Sequence, residues 1–184
     1  MATCSSYNCN SLGSFNSTLD NCSTFRTGGT SAIVLLSCDH QITDPTDGAA
    51  ILAEIAAGRA WLMQNLKVGI AAGTPVTVDP VTACGTPRVI KNSYSGTLYS
   101  AVVSAENNDF INQLANGYVI GGMILNVCTT DGLSDIALYV DAEISFSGGL
   151  VQPDVNTELI RFEVNFTWNS VGYDVITAPT GVWD

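Results

Sequence analysis

Apolar and polar residues alternate strictly along residues 160–168, IRFEVNFTW. Successive side chains of a β-strand point to opposite faces, so this alternation predicts a strand with one apolar and one polar face. Residues 136–146, IALYVDAEISF, repeat the pattern just upstream. We therefore expect two long, consecutive strands at 135–146 and 157–168. The positions predicted to pack in the core are Ile136, Leu138, Val140, Ile160, Phe162 and Val164.

The remaining pattern predicts further strands and two helices. An Asp44-Pro-Thr-Asp start signal precedes the Ala- and Leu-rich residues 47–65, which predict a helix with Gly58 as its weak point. Residues 106–117 predict a second, shorter helix that stops at Gly117. The predicted strands are a buried one at 31–38, a hairpin of 67–72 with 75–79, strands at 96–105 and 118–127, and an edge strand at 171–177.

Runs of strands without regular alternation with helices indicate a mainly β, β-rich α+β fold. We expect an antiparallel sandwich or barrel-like sheet with about two helices. Residues 1–30 are rich in Ser, Thr, Asn and Cys without a clear apolar period, which predicts an N-terminal arm that is flexible or ordered against a neighbouring subunit. Residues 31–184 form the expected single domain, and residues 147–158 are expected to connect the two long strands as a projecting loop.

Charge is sparse and acidic. The chain of 184 residues has 17 acidic and 6 basic residues, a net charge of −11. Such a surface repels phosphate backbones and disfavours nucleic-acid binding. Because charged residues are only 12% of the chain, much of the surface is expected to be buried in an assembly. The N-terminal residues have no secretory pattern and no apolar stretch is long enough for a membrane helix, so we expect synthesis in the cytoplasm and no membrane contact.

Candidate chemistry is limited. The six cysteines, without a secretory signal, favour reduced thiols, with disulfides formed after release and a metal site as alternatives. His40 is the single histidine, and Cys38, Asp39, Asp44 and Asp47 surround it in sequence. A turn and a helix cap explain these residues better than a catalytic or cation site. Asp141 and Glu143 could be the paired carboxylates of a glycosidase, but a solvated strand face is the expected explanation. We expect no enzyme, no cofactor and no metal.

The long paired strands, the short helix beside them, the acidic composition and the N-terminal arm resemble tail tube subunits of tailed bacteriophages. The resemblance concerns the general layout of residues 31–177 and no short motif. It implies a virion protein that assembles with itself and other virion proteins into stacked, usually hexameric rings around a channel. It also implies that DNA passes as cargo along a hydrophilic, acidic wall without sticking.

The same resemblance implies which residues line the channel. The lumen-facing residues would be Asp141, Glu143, Arg161, Glu163 and Asn165. Arg161 departs from an acidic lining, and Asp141 or Glu143 is its candidate partner across the strands. The alternatives are a capsid decoration or cement protein and a carbohydrate-binding β-sandwich.

Overall fold

The computed structural model describes residues 29–78, 88–128, 136–152 and 160–183. These ranges contain nine β-strands and two α-helices. The arm predicted at 1–30 lies outside them except for its last two residues. In chain order, the elements are β1 (Gly29–Leu36), α1 (Gly48–Ala56), β2 (Ala60–Ile70), β3 (Thr74–Val78), β4 (Arg88–Ser100), α2 (Ala105–Ala115), β5 (Gly122–Cys128), β6 (Ile136–Val140), β7 (Ile144–Val151), β8 (Arg161–Ser170) and β9 (Asp174–Thr177).

The strands form one antiparallel sheet, which confirms the β-rich α+β fold. Its order is β7-β8-β4-β2-β1-β5-β6-β9, with β3 paired to β4. The sheet is not a closed barrel. An isolated bridge between Ile120 and Ile144 joins the residues before β5 to the start of β7. The bridge brings β7, at one end of the order, beside the start of β5, which is third from the other end, so the sheet is bent over on itself.

The main core lies between the two halves of this bent sheet. Phe162, Val164 and Phe166 of β8 share one buried cluster with Ile33 of β1 and Leu125 of β5. Helix α2 adds its apolar side to the same cluster. It contributes Phe110, Ile111 and Leu114. The helix begins after Ser104, whose hydroxyl accepts from the Asn107 N–H, and the chain turns at Gly117, with φ of 94°. The prediction of a short helix at 106–117 is confirmed.

A second, smaller core covers the outer face of one half of the sheet. Val34 and Leu36 of β1 point away from the main core and pack with Ile51 of α1 and Val182 near the C-terminus. Strand β1 is therefore buried on both faces, as its continuous apolar run predicts. Buried Gly48 at the start of α1 leaves no room for a Cβ beside the carbonyl oxygen of Thr180. This close approach fixes the C-terminal residues against the helix.

The helix predicted at 47–65 is shorter than expected. Asp47 caps it as predicted, since its carboxylate accepts from the N–H groups of Ala49 and Ala50. The chain leaves the helix after Ala57 and turns at Gly58, which has a φ of 73°. Residues from Ala60 onward form β2 instead. The apolar spacing of this stretch fits either structure, and the left-handed glycine decides between them.

The hairpin predicted from 67–72 and 75–79 is wrong. Strands β2 and β3 both pair antiparallel with β4, one after the other along the same edge. They therefore run in the same direction as one interrupted strand. The N–H of Ala71 continues the ladder between them by donating to the Ser95 carbonyl at 2.8 Å. The glycine at 73 interrupts the strand without reversing it.

The strand predicted at 135–146 is divided into two. Strand β6 pairs with β5 and β9, whereas β7 pairs with β8 at the other end of the order. Residues 141–143 link them, and we call this link the corner. The alternation nevertheless continues through the corner, since Val140, Ala142, Ile144 and Phe146 are all in the main core.

Residues 147–151, expected in a projecting loop, belong to β7, and residues 153–158 of that loop lie outside the described ranges. The edge strand predicted at 171–177 is present as β9 at one end of the sheet. In the described part of the chain, neither helix has the length and apolar character needed to span a membrane.

Candidate functional site: the open face of the sheet

Half of the outer face of the sheet is not covered by α1 or by the C-terminal residues. We call it the open face. It consists of the outward positions on the second half of β2 and on β4, β8 and β7. A bulge at Asn65, which has a φ of 59°, shifts the alternation of β2. Met63 and Leu66 therefore both face the main core, and Lys67 points outward.

Arg161, Glu163 and Tyr99 are in contact on the open face, and we call them the charged group. Tyr99 of β4 lies opposite Glu163 of β8 on one side and opposite Lys67 of β2 on the other. Arg161 stacks over the Tyr99 ring, with 5.7 Å from its Cζ to the ring centroid. Its Nη2 is 3.5 Å from a carboxylate oxygen of Glu163. Both side chains are about one-third exposed, so this ion pair is partly screened by water.

Uncharged groups dominate the centre of the open face. The Thr97 hydroxyl donates to Oδ1 of Asn165 across the β4–β8 pair at 2.9 Å. A shallow concavity of about 550 Å³ extends around them, with Lys67, Ser95 and Tyr99 among its lining residues. Hydroxyl, amide and single charged groups in such a concavity can bind polar ligands or water.

The structure divides the predicted lumen-facing residues into two groups. Arg161, Glu163 and Asn165 lie together on β8, with Asn165 exposed. Asp141 and Glu143 are exposed in the corner. Whether any of them faces a channel is a question of assembly.

The expected pairing of Arg161 with Asp141 or Glu143 across the strands is wrong. Ile144, the residue after Glu143, lies opposite Trp168. Seven residues (168 minus 161) separate that pairing from Arg161, a distance of about 23 Å along a strand. Arg161 instead lies beside Glu163, two positions along its own strand.

The predicted core positions are also divided. Val140, Phe162 and Val164 are fully buried, and Leu138 packs partly buried against the main core. Ile136 and Ile160 are 41% and 46% exposed, contrary to expectation. Both have the parity of the core face, but they lie at the ends of their strands, beyond the side chains that fill the core.

The charges of the open face differ from the predicted acidic lining. Besides Glu163, the charged side chains at the described outward positions of β2, β4, β7 and β8 are Lys67, Lys91 and Arg161. Sequence inspection missed Lys67 and Tyr99. The alternation in Thr97, Leu98, Tyr99 could have revealed Tyr99, but the bulge at Asn65 conceals the orientation of Lys67.

A separate polar cluster surrounds His40 beneath the other half of the sheet. His40 is buried, and its Nδ1 accepts from the Ile42 N–H at 3.3 Å. Burial lowers its pKa below 6.5, and the nearby carboxylates of Asp141 and Glu54 oppose this shift. The predicted roles of its sequence neighbours hold: Asp47 caps α1, and Asp44 accepts from Thr46. These contacts account for the residues structurally.

Glu54 is the buried partner that sequence inspection missed. Arg59 binds its two carboxylate oxygens through Nε at 2.8 Å and Nη2 at 2.6 Å. These hydrogen bonds lower the pKa of Glu54, while burial opposes them. The Gln41 N–H also donates to the carboxylate at 3.2 Å. Because Glu54 is in the last turn of α1 and Arg59 is in the turn that follows, this ion pair stabilises the end of the helix.

Two further findings concern candidate chemistry. Cys38 is disulfide-bonded, so the expectation of reduced thiols is wrong for this residue. Burial, with Asp141 and Asp174 nearby, raises the pKa of Tyr139 to about 12, so its hydroxyl stays protonated. Within the described ranges, no group of three or more His, Cys, Asp or Glu side chains could hold a metal ion.

Comparison with known proteins gives no relative. No protein-family model, no curated protein and no solved structure matches the chain. The function has to be argued from the open face and from the strands that border it.

Proposed function

We propose that the chain is a structural subunit that assembles into a tube of the tail tube kind found in tailed bacteriophages, with the open face lining its channel. One observation carries this proposal. A polar, exposed sheet face is bordered on both sides by strands that have an unpaired edge within the described residues. These strands are β3, which pairs only with β4, and β7, which past Ile144 pairs only with β8.

The directions of the bordering strands support lateral assembly. Strands β3 and β8 are both antiparallel to β4, and β7 is antiparallel to β8. It follows that β3 and β7 are antiparallel to each other. Strand β3 of one copy can therefore pair antiparallel with β7 of the next and continue the ladder. Such a head-to-tail contact uses two different surfaces and closes into a ring when the rotation permits. Closure would also remove both exposed edges.

The lining would be hydrophilic, with acidic residues concentrated at one end. Hydroxyl and amide side chains such as Thr97 and Asn165 occupy its centre, and Glu163 lies beside Arg161. Asp141 and Glu143 would lie at the mouth formed by the corner. Lys67, Lys91 and Arg161 would each offer DNA in transit a phosphate contact, offset in part by Glu163 and by the acidic mouth, which would repel DNA. The net charge of −11 for the whole chain supports the role of DNA as cargo rather than as ligand.

Disulfide trapping between copies tests this proposal. Thr74 of β3 and Ser147 of β7 are both exposed, and their strand partners Ser93 and Asn165 lie on the open face. The variant carrying both Thr74→Cys and Ser147→Cys should give a ladder of covalent oligomers that ends at the ring size. Each single variant serves as the control and should not give that ladder. Negative-stain microscopy of the wild-type chain should show rings or tubes.

Two outcomes would overturn the proposal. Discrete small oligomers without a ladder would favour a capsid decoration protein, which needs no channel. A monomer at all concentrations would exclude assembly through these edges.

The concavity on the open face favours one further candidate, a carbohydrate-binding β-sandwich. Its volume of about 550 Å³ and its lining by Tyr99, Ser95 and Lys67 suit a hydroxyl-rich ligand. The stacking of Arg161 on Tyr99 leaves less of that ring for a sugar. Screening the wild-type chain and a Tyr99→Ala variant on a glycan array tests this candidate, which requires binding that the variant loses.

A further inference from the structure

One rim of the main core is exposed where β6 and β9 form the end of the sheet. Val175 of β9 is 64% exposed and lies opposite Leu138, which packs against the main core. Ile136, two residues before Leu138, is 41% exposed on the same side. Tyr173 precedes β9 with the same parity as Val175 and is 43% exposed. We call Ile136, Tyr173 and Val175 the β9 strip. These three side chains extend the apolar surface of the main core to the solvent-exposed edge of the sheet.

The β9 strip reaches across the open end of the bent sheet. The Tyr173 ring meets Tyr94 of β4 edge-on, with 5.8 Å between the ring centroids. Tyr94 in turn stacks on Trp168 at 4.9 Å. Strand β9 pairs with β6, and its outer edge has no strand partner among the described residues. An apolar surface beside an open strand edge is a strong site for association with another segment.

The N-terminal residues leave the described part of the chain at the start of β1, which is level with Ile136 of the strip. Gly29, the first residue of β1, lies opposite Cys128 at the end of β5. From β1, the strip is three strand spacings away through β5, β6 and β9, or about 14 Å. The 28 residues before Gly29 are ample for this distance, because an extended chain spans about 3.3 Å per residue.

The composition of residues 1–28 is suited to an apolar rim. These residues include Leu12, Phe15, Leu19 and Phe25, and their only charged side chains are Asp20 and Arg26. The segment cannot form a core alone, but it can bury these side chains against an existing one. The strip offers such a surface, three strand spacings from Gly29, where the segment joins β1.

We propose that residues 1–28 fold back onto their own chain and cover the β9 strip. The occupant is thus the same molecule rather than a neighbouring copy. This inference goes beyond the channel and does not depend on it, since the strip lies outside the open face. Its consequence is that the free subunit carries its own cover for an edge that would otherwise pair with other chains.

Native cysteines in the N-terminal segment provide the test. In the full-length chain, Val175→Cys places a thiol in the middle of the strip, and those of Cys4, Cys9 and Cys22 that are not the disulfide partner of Cys38 can bond to it from residues 1–28. The variant is mildly oxidised at low protein concentration, and linked peptides are identified by mass spectrometry without reduction. Ser95→Cys, exposed in the centre of the open face, is the matched control. Ile136→Cys repeats the test should Val175→Cys fold poorly.

The expected result is a link within one chain between the introduced cysteine and Cys4, Cys9 or Cys22. It should be enriched at least about tenfold over the Ser95→Cys control, because a thiol held nearby has an effective concentration in the millimolar range. A link to Cys84 would assign the strip to the connection between β3 and β4 and overturn the proposal. Links between two chains, or no enrichment over the control, would overturn it as well.

Discussion

The two halves of the outer sheet face differ although one strand, β2, contributes to both. Ala60 and Leu62 at its start lie against the second core beneath α1, whereas Lys67 beyond the Asn65 bulge lies on the open face. The covered half includes β1, whose sequence is apolar at consecutive positions. The open half includes β8, whose sequence alternates strictly. The residue pattern of each strand thus matches the presence or absence of a cover over its outer face.

The largest expected effect comes from placing a charge on each half. Val34, fully buried against the second core, becomes an unpaired buried carboxylate in Val34→Asp, which should lower the free energy of unfolding by at least about 3 kcal/mol or prevent folding. Asn165→Asp on the open face should change it by less than about 0.5 kcal/mol, because the residue is exposed and Thr97 can still donate to it. Urea denaturation of both variants measures their free energies of unfolding. Similar losses for the two would show that the halves are equally buried.

Strands β1 and β8 also show how much of the fold could be predicted from the sequence. The alternation in β8 predicted its two faces, with Phe162 and Val164 buried and Asn165 exposed, and the run in β1 predicted burial on both sides. Periodicity reports which side chains share a face, but not what covers that face. The cover of Val34 comes from Ile51 and Val182, which are distant in sequence.

Other errors arose where single residues redirect the backbone. A glycine at 58 with positive φ ends the helix earlier than predicted. The bulge at Asn65 shifts the alternation of β2, so the outward orientation of Lys67 could not be predicted from the sequence. The register of β7 with β8 places Glu143 at the opposite end of β8 from Arg161, although its parity was read correctly. Strand pairing depends on contacts between distant residues, so the position of Arg161 relative to Glu143 could not follow from either strand alone.

Two glycines, one in helix α1 over the covered half and one on the open half, test the comparison with a smaller expected change in stability. Alanine at position 48 would push against the Thr180 carbonyl, so Gly48→Ala should cost about 1–3 kcal/mol even though alanine favours a helix. At Gly69 on the open half, no atom of another residue lies within 4 Å of the place a Cβ would occupy, so Gly69→Ala should be neutral or stabilise by up to about 1 kcal/mol. Thermal unfolding followed by circular dichroism compares them. A stabilising Gly48→Ala would mean that the C-terminal residues yield easily.

Acid should weaken the covered half through His40 and Glu54. Both have a pKa that is lower in the folded state, so their stabilisation is complete above pH 6.5 and is lost as the pH falls, first through His40 and then, below pH 4.5, through Glu54. His40→Asn, which keeps an acceptor for the Ile42 N–H, should flatten the loss below pH 6.5, and Glu54→Gln the loss below pH 4.5. Denaturation midpoints between pH 8 and about pH 3.5 measure both. An unchanged slope in His40→Asn would exclude His40 as the cause.

The smallest effect should come from the charged group of the open face. Arg161→Ala removes a partly exposed ion pair with Glu163 and the stacking on Tyr99, at a cost of under about 1 kcal/mol. The matched change Arg59→Ala should destabilise more, since it leaves the buried Glu54 carboxylate without its main donor. Chemical denaturation at low and high salt compares the two. A larger loss for Arg161→Ala would indicate that the open face is less solvated than its exposure suggests.

The corner at residues 141–143 has a further, mechanical consequence. It is a short covalent link between β6 and β7, which lie far apart in the strand order. The sheet therefore cannot flatten without stretching this link, which holds its two halves together. Its length sets how far the two halves can open, so an insertion here would change the curvature of the open face without altering any residue on it.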